Sequence, residues 1–314
     1  MRTPTPPGAL RRPGVFPLLC FALSAMALLA CHPGNTEAKR LRISCQGGDV
    51  GACNQLARRL QKGEYVLRDD EHAAELFDQA CKGGIGDSCA SLGVVYQSGT
   101  GVKRDSARAV TLLREGCDRR SMNGCVRLGV LYKKGAGVPA DIARAASLFQ
   151  QGCDGKDMSG CAQLGALYSA GEGVAQDFAR AASLLKQSCD AKVAIGCVGL
   201  GRLHAAGTGV APDDSIAAAL YDQACDANEA SGCVAYAMVL ESGRGVQQNF
   251  ERAADIYTNM CQGERNGEAC FRLASLHDRG AGVFRSPNRA TALRRRACDY
   301  GHEEACERPK PAGT

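Results

Sequence analysis

The chain has 314 residues, 45% hydrophobic and 23% charged, with 38 glycines and a formal charge of +5. Such a composition is that of a globular chain long enough for one large domain or two ordinary ones, and it excludes a disordered polymer and a collagen-like repeat. Eighteen cysteines beside no tryptophan and only 5% aromatics are too many for ordinary core thiols, so the cysteines carry the framework.

In chain order, residues 1–31 come first, as an export signal. Arg2, Arg11 and Arg12 precede an apolar stretch from Val15 to Ala30, and no acidic residue interrupts it. The stretch ends in Leu28-Leu29-Ala30-Cys31, which resembles the bacterial lipobox. That resemblance implies cleavage before Cys31 and lipid attachment to it, and His32, not being Asp, implies the outer membrane if the host is Gram-negative, with a periplasmic or secreted chain as the alternative. Loss of the three arginines leaves a mature chain near +2, which points away from nucleic acid as a partner. No later apolar stretch approaches the ~18 residues of a spanning helix, so a lipid is the expected membrane attachment. Residues 32–43 read as a linker and the start of an N-terminal cap, 44–306 as the folded array, and 307–314 as a disordered tail with two prolines.

Once Cys20 and Cys31 are set aside, sixteen cysteines fall into eight pairs: Cys45/Cys53, Cys81/Cys89, Cys117/Cys125, Cys153/Cys161, Cys189/Cys197, Cys225/Cys233, Cys261/Cys270 and Cys298/Cys306. Seven pairs are C-x7-C and only Cys261/Cys270 has an extra residue; the first cysteines advance by 36 until that insertion makes the last step 37. A fixed period of this size marks a solenoid of stacked units. Metal sites favour closer pairs such as C-x2-C, whereas one pair per repeat in an exported chain reads as one disulfide per repeat. No metal or other cofactor is expected.

Within each repeat, Leu92-Gly93 with Tyr96, Gly99 and Gly101-Val102 recurs as Leu128-Gly129 with Tyr132, Gly135 and Gly137-Val138, and again from Leu164 to Val174. Apolar residues three and four apart describe a helix A, and the Gly-x-Gly ends it. Asp69, Asp105, Asp141, Asp177, Asp213, Asn249 and Ser286 then form a column of N-cap residues opening a helix B. Ala73, Ala109, Ala145, Ala181, Ala217, Ala253 and Ala290 follow four residues later, and the Leu76, Leu112, Leu148, Leu184, Leu220, Ile256, Leu293 column supplies the apolar face. Helix B is expected to end near the first cysteine of a pair, and the second cysteine to open the next helix A. Seven helical hairpins result, with short segments bearing Cys45 and Cys306 covering the ends.

The A-x-x-L-G-x-x-Y-x-x-G-x-G-V pattern on a 36-residue period with a C-x7-C link resembles the Sel-one-like repeat (SLR) family, in its disulfide-bridged branch of Helicobacter cysteine-rich proteins. The resemblance covers about residues 40–306 and implies an all-α, right-handed α/α solenoid. It further implies a monomeric scaffold of the cell envelope whose concave face binds a protein or peptide. As the alternative it implies a β-lactamase or penicillin-binding protein, and through distant mitochondrial relatives a redox or metallochaperone role. The first unit departs from the pattern, with Lys62-Gly63-Glu64-Tyr65-Val66 replacing the double-glycine turn, which puts its loop shape in question.

Candidate chemistry is sparse. Ser183-Leu184-Leu185-Lys186 has the S-x-x-K form of serine β-lactamases. Its column reads Glu75, Thr111, Ser147, Ala219, Asp255 and Ala292 elsewhere, as a helix surface does. Ser121-Met122-Asn123 has the S-x-N form but precedes the S-x-x-K, and no Lys-Thr-Gly follows. His204 and His277 occupy the Tyr96 column and read as packing residues, His72 shares the column of Arg108, Arg144 and Arg180, and His302-Glu303-Glu304 lacks the second histidine of H-E-x-x-H. For the binding face, the variable helix A positions Arg59, Gln97, Lys133, Ser169, Ala205, Glu241 and Asp278 are expected as one exposed column.

Overall fold

The computed structural model describes residues 33–306; the segment read as an export signal, Cys31 and the tail from 307 onward lie outside the described residues. A first helix, α1 (Pro33–Gln46), precedes seven hairpins. These pair α2 (Val50–Lys62) with α3 (Asp70–Lys82), α4 (Gly86–Ser98) with α5 (Ser106–Asp118), α6 (Met122–Lys134) with α7 (Ile142–Asp154), and α8 (Met158–Ala170) with α9 (Phe178–Asp190). They continue with α10 (Ala194–Ala206) and α11 (Asp214–Asp226), α12 (Ala230–Ser242) and α13 (Phe250–Gln262), and α14 (Gly267–Arg279) and α15 (Pro287–Asp299). A 3-10 turn, Glu303–Ala305, follows, and no strand occurs among the described residues. The segment expected to be a linker and partial cap is thus a whole helix: α1 stands one period before α3 and is a B helix without its A partner. Its position is marked in sequence by Cys45 and Ala38, both under 5% exposed.

The columns explain the elements. At the B helix of each of the seven hairpins the N-cap side chain accepts the N–H three residues on, at 2.8–3.4 Å, each bond stabilising the helix by about 1 kcal/mol. Every A helix ends at a left-handed glycine, from Gly63 to Gly280, with φ between +65° and +78°. The alanine column is at most 1% exposed and lies against the helix A glycines. A β-carbon at Gly129 would stand 3.2 Å from the Ala145 carbonyl oxygen, so the two backbones touch. The deepest apolar column of helix B lies one residue beyond the Leu76 column: Phe77, Leu113, Phe149, Leu185, Tyr221 and Tyr257 are 0–5% exposed.

The second glycine of each hairpin loop packs on the start of the preceding B helix; a β-carbon on Gly137 would meet the Ser106 carbonyl oxygen at 2.5 Å. In the first loop that position is Tyr65, which adopts φ +60°. The turn therefore keeps the left-handed conformation without the glycine, at a cost of roughly 1–2 kcal/mol, and the Arg59 guanidinium lies 5.9 Å from the centre of its ring.

All eight cysteine pairs are bridged within the pair: Cys45–Cys53, Cys81–Cys89, Cys117–Cys125, Cys153–Cys161, Cys189–Cys197, Cys225–Cys233, Cys261–Cys270 and Cys298–Cys306, with Cα–Cα distances of 4.3–4.8 Å. The second cysteine does not open helix A, as the sequence led us to expect. Cys53, Cys89, Cys125, Cys161, Cys197, Cys233 and Cys270 each stand one turn inside it, as the fourth helical residue, and all are at most 3% exposed. The reason is geometric: from the first turn the side chain points into the stack toward the preceding B helix, where its partner sulfur lies. These residues are therefore core of the array and no part of a surface site.

Each bridge fastens the last turn of one B helix to the first turn of the next A helix, or to the 3-10 cap at the C-terminal end. It closes a loop of about nine residues worth ~2.5 kcal/mol on the chain-entropy account. Eight bridges belong with an oxidising, extracytoplasmic location. Successive A helices also touch one another directly, α4 on α6, α8 on α10 and α10 on α12. This closer spacing puts the A helices on the inner side of the stack.

Candidate functional site

The inner face opens into a cavity of about 860 Å³ between α10, α12 and α14, bounded by the starts of α11 and α13. Helix periodicity brings Arg202 and Ala205 of α10, Ala235, Met238 and Glu241 of α12, and Glu268 and Arg272 of α14 toward it, while Tyr221 of α11 and Phe250 of α13 close it from behind. Met238 is 37% exposed, a large apolar side chain left open on this face.

Its charges are mostly paired. Arg244, in the loop after α12, grips Asp214 with two bonds of 2.8 and 3.2 Å. Arg279 pairs with Glu241 at 2.5 Å, the Tyr257 hydroxyl donates to the same carboxylate at 3.1 Å, and Arg272 pairs with Glu268. Arg202 has no ion-pair partner among the described residues. Burial raises the Tyr257 hydroxyl pKa far above its ordinary value, with the Glu241 charge adding to it. Burial also raises that of Tyr221, against the opposing pull of Arg202 and Arg244.

The expected binding column is only partly realised. Arg59 is out of register: its position corresponds to Val95 and Leu131, and it is drawn inward to Glu37 of α1 at 2.8 Å, with a side chain 19% exposed. Gln97, Lys133, Ser169, Ala205, Glu241 and Asp278 do share a column, but it is half-buried rather than solvent-facing. Asp278 is bound to Arg294 of α15. Only Ala205 and Glu241 reach the cavity. Arg202, Tyr221 and Met238, absent from the expected set, do line it; their signal was an arginine among the Val94, Val130 and Ala166 column and a tyrosine among phenylalanines and leucines.

The family model of the Sel1 repeat matches the chain seven times, over residues 50–85, 86–121, 123–157, 159–193, 194–229, 230–262 and 267–302, one match per hairpin. The chain belongs to the Sel1 repeat family. Comparison with curated proteins gives no significant match. Among solved structures, c5321, described as a protective antigen present in uropathogenic Escherichia coli strains and displaying an SLR fold, superposes with a TM-score of 0.64 at 25% identity. That alignment covers 85% of this chain and 57% of c5321, so this chain spans little more than half of its length. A Sel1 repeat protein from Oxalobacter formigenes gives a TM-score of 0.61 at 23% identity over 85% of this chain and 77% of that one. Cysteine rich protein B of Helicobacter pylori aligns at 28% identity over 39% of this chain and 88% of that one, with a TM-score of 0.33, and no argument rests on that overlap.

In this Sel1 repeat protein the serine-lysine pair is not assembled. Lys186 is paired with Asp190 at 2.7 Å, and the Ser183 hydroxyl accepts from Gln187 at 3.4 Å. Both lie beside a second cavity, of about 670 Å³, formed largely by B helices α9 and α11. Ser121 is a buried N-cap whose hydroxyl donates to Asp87 at 2.6 Å and accepts from the Gly124 N–H at 3.3 Å. His204 and His277 hold the carbonyls of Ala211 and Phe284 through Nδ1 at 3.2 and 3.0 Å, pinning their hairpin loops. His72 is half-buried in the first turn of α3. His302 stacks on Phe271 at 4.5 Å and faces Glu268 at 3.4 Å, as part of the C-terminal cap. One metal-type cluster occurs among the described residues, Cys81, Cys89 and Glu115, and its two cysteines are joined to each other.

Proposed function

We propose that this Sel1 repeat protein is an exported envelope scaffold that binds an extended protein segment along its inner, A-helix face, with the cavity between α10, α12 and α14 as the main contact. The observation that carries this reading is the cavity itself: apolar at Met238 and Phe250, bordered by arginines, and built on rigid helices that disulfides hold in place. Concave faces of this kind are the working surfaces of helical repeat arrays. The binder is a monomer, tethered through a lipid on Cys31 to the outer membrane.

The test is cross-linking of the mature protein to its native envelope, with Met238→Asp on the inner face and Ile216→Asp on the outer. Ile216 is the matched control, 44% exposed and beside the second cavity. A partner lost with Met238→Asp and kept with Ile216→Asp supports the reading, and a partner lost only with Ile216→Asp sinks it. Membrane fractionation of Cys31→Ala checks the tether: release is expected, and a processed chain still in the membrane fraction refutes the lipid anchor.

A further inference from the structure

Two columns of the repeat face each other across every hairpin, one on helix A and one on helix B sixteen positions later. In the seventh hairpin they are Asp278 and Arg294, joined as an ion pair. In the sixth they are Glu241 and Tyr257, with the hydroxyl donating to the carboxylate at 3.1 Å. In the first four the second column is Phe77, Leu113, Phe149 and Leu185, at most 1% exposed and without a polar atom to satisfy. The fifth hairpin alone is mixed. Tyr221 is 5% exposed, yet the residue facing it is Ala205, and its hydroxyl has no hydrogen-bond partner among the described residues. The ring is buried but the hydroxyl opens on the cavity, so a bound group can complete it without displacing any bond within the protein.

The cavity lies on this gap: Ala205 and Tyr221 both line it. Arg202, three residues before Ala205, shares its helix face and carries no ion pair, while Arg244 stands across the opening, already occupied by Asp214. One repeat later, the corresponding space holds the Glu241 carboxylate with a tyrosine hydroxyl and an arginine upon it. The fifth hairpin therefore has the tyrosine and a cation but lacks the acid.

We propose that the partner supplies it: an internal Glu or Asp side chain of the bound segment stands beside Ala205, accepting a hydrogen bond from the Tyr221 hydroxyl and neutralising Arg202, while a neighbouring apolar residue covers Met238. A side chain is assigned rather than a chain terminus because the A-helix face continues past the cavity along α8 and α6, so a bound strand runs through. This inference rests on the groove-binding reading.

The experiment selects random dodecapeptides, displayed with blocked C-termini, on the oxidised mature protein and measures the winners by fluorescence polarisation. The expected winners share an acidic residue near an apolar one, and Glu→Gln in the peptide weakens binding by about 10- to 100-fold. Arg202→Ala has a comparable effect, Tyr221→Phe a smaller one, and Ala205→Glu, which places the acid in the protein itself, blocks binding. Circular dichroism and bridge mapping of Ala205→Glu confirm that it is folded. Winners without an acid, winners that bind Ala205→Glu as well as wild type, or binding that needs a free C-terminus overturn the carboxylate site. If such winners are still lost with Met238→Asp, the groove reading stands alone. If no peptide is selected, or the winners survive Met238→Asp, both fall.

Discussion

A β-carbon at Gly137 would have to enter a left-handed residue, φ +77°, and also displace the Ser106 carbonyl oxygen. At Gly84, with φ +98° and nothing within 4 Å, only the first of these costs applies. Gly84→Ala should therefore lose about 1–2 kcal/mol and Gly137→Ala about 2–4 kcal/mol in urea unfolding; equal losses would show that the close approach contributes nothing. The tyrosines offer a second test. Tyr257, Tyr221 and Tyr236 have folded-state pKa values raised above the ordinary 10, in each case first by burial. The native state thus holds these protons more tightly than the unfolded chain. The stability linked to them is intact below about pH 10 and is lost as pH rises beyond it. In a spectrophotometric titration, three of the eight tyrosines should ionise late and together with unfolding, and Tyr257→Phe should remove one of the late group. At this scale the caps were legible, because a capping side chain acts on a backbone three residues away. Tyr221 was not, since its significance lies in the residue opposite, and that requires two columns sixteen positions apart to be read together.

Each hairpin owes its shape to signals within one period, and for that reason the helices, turns and bridges could be read from the chain. The start of helix A was read one turn late, because the cysteine is the visible mark and the helix begins three residues before it, as at Met122 before Cys125 and Ala194 before Cys197. What was read only as a linker and part of a cap was α1: its place is marked by Cys45, but it begins at Pro33 without the capping Asp, Asn or Ser that announces the other B helices. The bridges differ in one respect that the period conceals. Seven have at least one cysteine at most 3% exposed, Cys161 and Cys233 among them, whereas Cys306 is exposed and Cys298 half-buried. Thiolate exchange requires access to sulfur, so under a limiting dithiol Cys298–Cys306 should be the first pair to take up a thiol label, with the 3-10 cap released from Phe271 and little helix lost. Labelling that begins at Cys261 or Cys270, each 0% exposed, would contradict this order.

At the scale of the whole molecule, the array presents one long inner face, and in its C-terminal half this face opens to ligand size, where Arg202 and Met238 interrupt the small and branched residues of the earlier repeats. The repeat period led us to expect such a face and gave no sign of where along it an opening would lie. Hydrolysis requires a nucleophile within reach of its base, and Lys186 is engaged by Asp190 instead. Any turnover of nitrocefin should accordingly be unchanged in Ser183→Ala and Lys186→Ala, both of which should keep stability within about 0.5 kcal/mol as surface helix positions do. A large loss of rate in both, with helicity intact, would restore a serine hydrolase.

The bridges also determine how the chain behaves under tension. Force applied to its ends passes through each disulfide and bypasses the residues inside it, so only the stretch between bridges can pay out. That stretch is 28 positions from Cys53 to Cys81 and again 28 from Cys270 to Cys298, because the additional residue of the seventh pair sits within its own bridge. Pulled in an optical trap, the oxidised array should lengthen in up to seven even steps of about 90–100 Å of contour, and reduction should lengthen each step toward the full 36-residue period. The irregular spacing visible in the sequence is mechanically silent, and the molecule behaves as a chain of equal links.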